Sequence, residues 1–240
     1  MKLSISGTYS SGKTFTVMAL SYYTGIPRTL AKTIREILPE AVPGKSLAQC
    51  TPAEYLQLVM CRHVGRAVNE SKFPDGFIAD GSSLQEWIYG KARVMHGMNP
   101  SEMRDSEEVV PAPSQNDEMY FFEEVIDQFG HAFRQHVKAT FDAYVHLRNE
   151  LPLANDGHRP LNERFRATCD HMLLETLSEL QIPHYVIGGT ISERLDTIVS
   201  IFEFPTVMTV DKAIALARKD YAMLDMRLET ERAARMQPVR

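Results

Sequence analysis

Eight residues near the start of the chain, Gly7 to Thr14, read GTYSSGKT. They follow a short apolar run, KLSIS at residues 2–6, and precede Phe15, Val17, Met18 and Leu20 at helical spacing. The order predicts a buried strand, a glycine loop and a helix that starts near Lys13. Its physical logic is direct. Glycines permit tight turns, so several backbone N–H groups point inward and hold phosphate oxygens. Lys13 adds positive charge near the terminal phosphates, the Thr14 hydroxyl can ligate Mg²⁺, and the helix N-terminus favours an anion. Gly7, Ser10, Ser11, Gly12, Lys13 and Thr14 are therefore the candidate phosphate contacts, with Thr14 also a candidate metal ligand. A chance match in a Gly/Ser-rich turn is the bland alternative, and the strand–loop–helix context argues against it.

The rest of the chain repeats the same alternation. A capping box at Thr51-Pro52-Ala53-Glu54 opens a helix to about Ser71. Phe77-Ile78-Ala79 reads as a strand that exits at Asp80-Gly81, and a long helix is expected from about Glu118 to Thr140. Ala143–Leu147 and His184–Gly188 read as further strands, and a short one near 26–29 is plausible. The pattern predicts an α/β fold with a parallel five-stranded sheet flanked by helices. In such sheets ligands sit at the carboxyl ends of the strands, where the loops after Ser6, Ala79, Leu147 and Ile187 converge. Residues 99–117 are polar and acidic with three prolines, the composition of a surface excursion.

Composition sets limits. The 240 residues are 44% hydrophobic and carry a formal net charge of −5, so a sizeable core is available and bulk nucleic-acid binding is disfavoured. Cys50, Cys61 and Cys169 are widely spaced, which fits ordinary thiols in a reducing cytoplasm. No stretch has the length of a membrane span or the apolar region of a signal peptide. The expected organisation is a unit at 1–204 followed by a helical extension at 205–240. Within that extension Ile214, Tyr221, Leu224 and Leu228 form one apolar stripe on a helix running from Asp211 to about Ala234. The stripe suits docking on the chain's own core, and a homodimer is the rival.

Other residues fit the same chemistry. Asp80 ends a strand expected beside the first, where a carboxylate can hold Mg²⁺ or accept a proton from an attacking hydroxyl. An Asp-Gly strand exit alone also explains it. Arg159, Arg164 and Arg166, with Arg148 upstream, could form an arginine lid at about 148–166 over a migrating phosphoryl group. A basic run is also a common solvated helix face. Gly188-Gly189-Thr190 with Arg194 could wrap an adenine, or serve only as a strand-to-helix turn. Trp87 and Tyr89 suit a substrate ring less well than core packing. The histidines show no ligand spacing, and no Ser–His–Asp set is legible.

Together these landmarks resemble the P-loop small-molecule kinases, most closely the ribosylnicotinamide kinase domain of bacterial NAD-metabolism proteins and its ATPase-like relatives. The matching stretches are GTYSSGKT, LAKTIREI at 30–37, FIADGSS at 77–83, NDGHRPLNERFR at 155–166 and IPHYVIGGTISERL at 182–195. The resemblance implies a nucleoside/nucleotide-kinase-like P-loop NTPase core, ATP and Mg²⁺, and functional roles for Arg35, Asp80, Arg159 and Arg194. Where such relatives place an acidic residue just before the second stretch, this chain reads PRTLAKT. The function so implied is transfer of the ATP γ-phosphoryl group to a hydroxyl of a small, nucleoside-like metabolite. Lys13, Asp80, Arg159, Arg164 and Arg35 would be the catalytic set, Thr190 and Arg194 nucleotide contacts, and Thr14 and Asp80 the metal ligands. Two alternatives stay open. One is a nucleotide-dependent regulatory or interaction ATPase. The other is a kinase acting on a nucleoside monophosphate or a modified nucleotide in DNA.

Overall fold

The computed structural model describes residues 1–100, 117–153 and 162–224. Four strands alternate with helices: β1 Lys2–Ser6, α1 Lys13–Thr24, α2 Ile34–Ala41, a 3₁₀ turn at Leu47–Gln49, α3 Pro52–Glu70, β2 Phe77–Asp80, α4 Ser83–His96, α5 Asp117–Thr140, β3 Ala143–Leu147, α6 Glu163–Glu179, β4 His184–Ile187, α7 Ile191–Phe202 and α8 Val210–Met223. The sheet order is β2-β1-β3-β4, and every pairing is parallel. Ile5 pairs with Asp80 and Ser6 with His146, which brings the carboxyl ends of β2, β1 and β3 to one edge of the sheet.

The sheet has four strands among the described residues, where five are expected from the sequence. The fifth, near 26–29, is reduced to a bridge between Arg28 and Ile78. Ile78 donates to the Pro27 carbonyl at 2.9 Å and Thr29 donates to the Ile78 carbonyl at 3.0 Å. Pro27 has no N–H to extend the ladder, and the chain leaves the edge at once, with Leu30 exposed.

Strand alternation divides the core. Leu3, Ile5, Ile78, Val145 and Leu147 pack under α1, α7 and α8 with Val17, Leu20, Leu195 and Ile198. Phe77, Ala79 and Tyr144 face the other way, onto α3–α6 with Leu84, Ile88, Phe122, Ile126, Phe133 and Phe165. Trp87 belongs to this second core, so packing explains it. Two glycines let α4 and α5 close on each other: a Cβ at Gly130 would lie 2.5 Å from Trp87 Nε1, and one at Gly90 2.5 Å from Ile126 Cδ1.

α8 packs against α1 and α7. Ala213 and Ala217 are fully buried, and Tyr221 meets Phe15 edge-on at 5.7 Å. Asp220 fastens the contact, accepting from Tyr22 Oη at 2.8 Å and pairing with Arg28 at 3.0 Å. The helix is shorter than its sequence suggests: Leu224 is already extended (φ −65°, ψ 135°). Leu228 lies outside the described residues.

Candidate active site

The glycine loop spans β1 and α1 with the backbone its sequence demands. Gly7 has φ 141°, Ser10 φ 60° and Gly12 φ 86°. A Cβ at Gly7 would lie 2.6 Å from Ser11 Oγ, so the first glycine is required sterically as well as conformationally. Gly12 stands at the N-cap of α1 in the left-handed region and brings no side-chain cap. Lys13 Nζ donates to the Thr8 carbonyl at 2.8 Å, across the loop it would share with phosphate.

Thr14 and Asp80 meet at the carboxyl edge of the sheet. Thr14 Oγ1 donates to Asp80 Oδ2 at 2.5 Å, a contact set up by the parallel pairing of β1 with β2. Gln85 ties α4 to the loop by donating to the Gly7 carbonyl at 2.9 Å. Behind the loop runs a partly buried chain of polar groups. Thr8 Oγ1 donates to Asn149, Asn149 Nδ2 donates to Asp170, Asp170 Oδ1 lies 3.4 Å from His146 Nε2, and His146 Nδ1 is 3.2 Å from Ser6 Oγ. Ser6 and His146 are buried, so this Ser–His–Asp line braces the loop and does not face a substrate.

Beside Thr14 and Asp80 opens a cavity of about 160 Å³. Its far wall carries residues that sequence reasoning missed. Arg62 and Arg66, one turn apart on α3, both converge on Glu86 Oε1, with Nη2 distances of 2.9 and 3.0 Å. Arg66 Nη1 also donates to the Asp80 carbonyl at 2.8 Å, and Arg62 to that of Lys32. Burial alone would raise the Glu86 pKa, but the two guanidiniums outweigh it and hold the carboxyl below its usual range. Tyr9 and Tyr89 line one side and stack with centroids 4.6 Å apart, and the buried Phe165 continues the stack behind them. Tyr89 thus lines the cavity, while its neighbour Trp87 is core.

The other candidates fall at separate places. Arg194 is buried below the loop, donating from Nη1 to the Ser11 carbonyl at 2.8 Å and from Nη2 to Glu150 at 3.1 Å. Glu150 also accepts from the Gly189 N–H at 2.8 Å, the main cause of its lowered pKa. A Cβ at Gly188 would lie 2.1 Å from Glu150 Oε1. Thr190 caps α7 in a box with Glu193. Arg164 lies in the first turn of α6, close enough to His96 to add to the burial that lowers that histidine's pKa. Arg166 donates to the Leu151 carbonyl at 3.0 Å, and its Nε and Nη2 are buried without a partner among the described residues. Arg35 lies in α2. Arg159 lies outside the described residues, as does the middle of the expected lid, 154–161.

A strand, glycine loop and helix, with a threonine hydroxyl against the carboxylate of the adjacent parallel strand, define a P-loop nucleotide-binding fold. The chain belongs to the AAA domain family, whose model matches residues 2–194. No curated protein matches it. Among solved structures it is similar to deoxyadenosine kinase from M. mycoides with the products dCMP and dCDP bound, at 13% identity and a TM-score of 0.54 over 85% of this chain and 99% of that one. Thymidylate kinase from Candida albicans aligns at 17% identity and a TM-score of 0.53 over 88% of this chain and 92% of that one. The NadR protein in complex with NAD and AMP-PNP aligns at 13% identity and a TM-score of 0.52, over 86% of this chain but 51% of that one. These likenesses establish the fold, that of P-loop nucleoside and nucleotide kinases.

Proposed function

We propose that the protein is an ATP- and Mg²⁺-dependent phosphotransferase acting on a hydroxyl of a small, nucleoside-like metabolite. The observation that carries this is the Thr14–Asp80 contact at the junction of the glycine loop and the cavity. One side of that junction suits a triphosphate and the other has room for a second molecule. A plain hydrolase needs no such second compartment.

Hydroxyl and carboxylate are hard oxygen donors, so Thr14 and Asp80 fit Mg²⁺ and would hold it. The ion, when bound, supplies positive charge to the phosphate oxygens. The loop N–H groups and Lys13 bind and orient the phosphates. Asp80 also stands where it can orient the acceptor hydroxyl. That oxygen bonds to the γ-phosphorus as the bond from γ-phosphorus to the β,γ-bridging oxygen breaks. ADP leaves, and the hydroxyl proton passes to a carboxylate and then to solvent. Arg164 and Arg166 begin the helix that follows the lid segment, and with Arg159 they are the proposed source of charge over the migrating group. Arg35 is proposed to act from the acceptor side. Thr190 and Arg194 support the loop and the nucleotide from below. Three free cysteines fit a reducing compartment such as the cytoplasm.

The test is ADP release from Mg·ATP across a panel of nucleosides, nucleotides and small hydroxylated metabolites. Turnover that depends on one acceptor class supports the reading. Hydrolysis to the same rate with or without every acceptor overturns it in favour of a regulatory ATPase.

A further inference from the structure

The cavity holds a cation, Arg93, that no carboxylate among the described residues neutralises. Arg93 lies in α4, seven residues beyond Glu86 on the same face, and lines the cavity with it. At about 1.5 Å per residue, that separates the two side chains' Cα atoms by about 10 Å along the helix. Arg93 is only 3% exposed. Its Nη1 donates to Tyr55 Oη at 3.0 Å and to the Tyr89 carbonyl at 2.9 Å, and its Nε donates to the Met98 carbonyl at 3.2 Å. The guanidinium also sits over the Tyr55 ring at 4.5 Å and the Phe165 ring at 5.4 Å.

Tyr9 is a further side-chain hydrogen-bond partner, and every one of these partners is neutral. Burial pushes the Tyr55 phenol up to about 12, so it brings no counter-charge at neutral pH. Arg62 and Arg66 share Glu86, whereas no carboxylate pairs with Arg93 among the described residues. Around the cavity, three guanidiniums (Arg62, Arg66, Arg93) thus face two carboxylates (Asp80, Glu86), before Lys13 is counted. Mg²⁺ at Asp80 would leave the balance more positive still. A buried cation without a counter-ion is strongly unfavourable, and ring contacts offset only part of that cost. Buried charged groups of this kind cluster at functional sites.

We infer that the acceptor is anionic: it carries a phosphate or carboxylate group that seats against Arg93, at the end of the cavity away from the reacting hydroxyl. The inference rests on the phosphotransfer reading for the identity of the cavity, and it narrows the acceptor from nucleoside-like to nucleoside-like and acidic. The shared chemistry is an oxyanion able to accept from the guanidinium, as phosphate and carboxylate both do.

The test uses the full chain with matched sets of nucleosides, their 5′-monophosphates and their 5′-carboxylates, with Mg·ATP saturating. Binding is read as a thermal shift and turnover as ADP formation. Acidic members should shift the melting temperature and act as acceptors, and their neutral counterparts should do neither. Which acidic set responds distinguishes phosphate from carboxylate. Arg93→Met should raise the KM for the acidic acceptor roughly tenfold to a hundredfold, the worth of a charge-assisted contact, and leave Mg·ATP binding unchanged. Arg93→Lys should recover part of the loss. Neutral nucleosides phosphorylated as well as their acidic counterparts, or no shift with any acidic member, would overturn the inference. A shift with acidic members that Arg93→Met abolishes, without ADP formation, would keep the anion site and overturn phosphotransfer instead.

Discussion

Replacing Glu86 with Gln tests the charge cluster that forms the cavity's far wall. Glu86 and Arg66 side chains are each 5% exposed and Arg62 is 12% exposed, so all three sit where water cannot easily substitute for a lost partner. The amide keeps the shape and leaves two guanidiniums facing a neutral oxygen. Breaking a buried ion pair in this way costs about 3–5 kcal/mol. For a chain of this size each kcal/mol moves the midpoint by about 2–4 °C, so Glu86→Gln should melt roughly 6–20 °C below the wild type. The assays, both followed by circular dichroism, are thermal melting for the midpoint and urea denaturation for the free energy, with the slopes of the two proteins compared. Acid adds an independent arm. The folded-state pKa of Glu86 lies below the ordinary 4.5, so its contribution is fully present above that value and is lost as pH falls through the folded value. The gap between wild type and variant should stay constant from neutral pH down to about 5 and narrow below about 4. A gap under about 1 kcal/mol at pH 7, or one that does not narrow in acid, would refute the assignment of Glu86 as the ionised centre of the cluster.

Further outcomes follow from the same geometry. Asp80→Asn should lower the catalytic rate about 10²–10³-fold while Mg·ATP affinity changes far less, because the amide loses the charge that organises the metal and the hydroxyl; equal rates at saturating Mg²⁺ would reduce Asp80 to a strand exit. Ending the chain after Pro205 removes α8 and uncovers the core face on which Ile214, Ala217 and Tyr221 pack. The shortened protein should lose about 3 kcal/mol with unchanged mass by light scattering. A full-length dimer that becomes a stable, active monomer would instead make the helix an assembly device. Gly188→Ala forces Glu150 away, since the new methyl would lie 2.1 Å from its Oε1. The contacts that Glu150 makes with Gly189 and Arg194 should weaken, and amide exchange at the start of α7 should speed up; unchanged exchange would show that Glu150 is dispensable there.

What the chain discloses in one dimension is what its chemistry keeps local. The glycine loop is contiguous, and each of its residues has a steric or electrostatic reason to be where it is. Asp80 was legible for a related reason: an apolar run that stops at an acidic residue marks a strand's carboxyl end. The cavity wall is different. Arg62 and Arg66 at i,i+4 spacing on an amphipathic helix look like any solvated pair, and only the packing of α3 beside α4 turns them onto Glu86, 24 and 20 residues away. Arg194 reaches Ser11 across 183 residues, a distance no spacing rule spans. The weak strand at 26–29 shows the opposite limit. Its residues suit a strand, yet a proline without an N–H and an early departure from the edge leave a bridge where a ladder was expected. Arg93 was hidden for another reason: that it has no carboxylate partner among the described residues emerges only once its neighbours are in place.

The most direct test of the account is the fate of the γ-phosphoryl group of labelled Mg·ATP, followed in a single turnover with the wild type and with Lys13→Ala. The account predicts that the label moves from ATP to the hydroxyl of an acidic acceptor in the wild type. Transfer should be abolished in Lys13→Ala, by several kcal/mol of barrier, while the variant's thermal melt is unchanged. Label recovered only as inorganic phosphate, or transfer by Lys13→Ala within about a factor of two of the wild type, would contradict it.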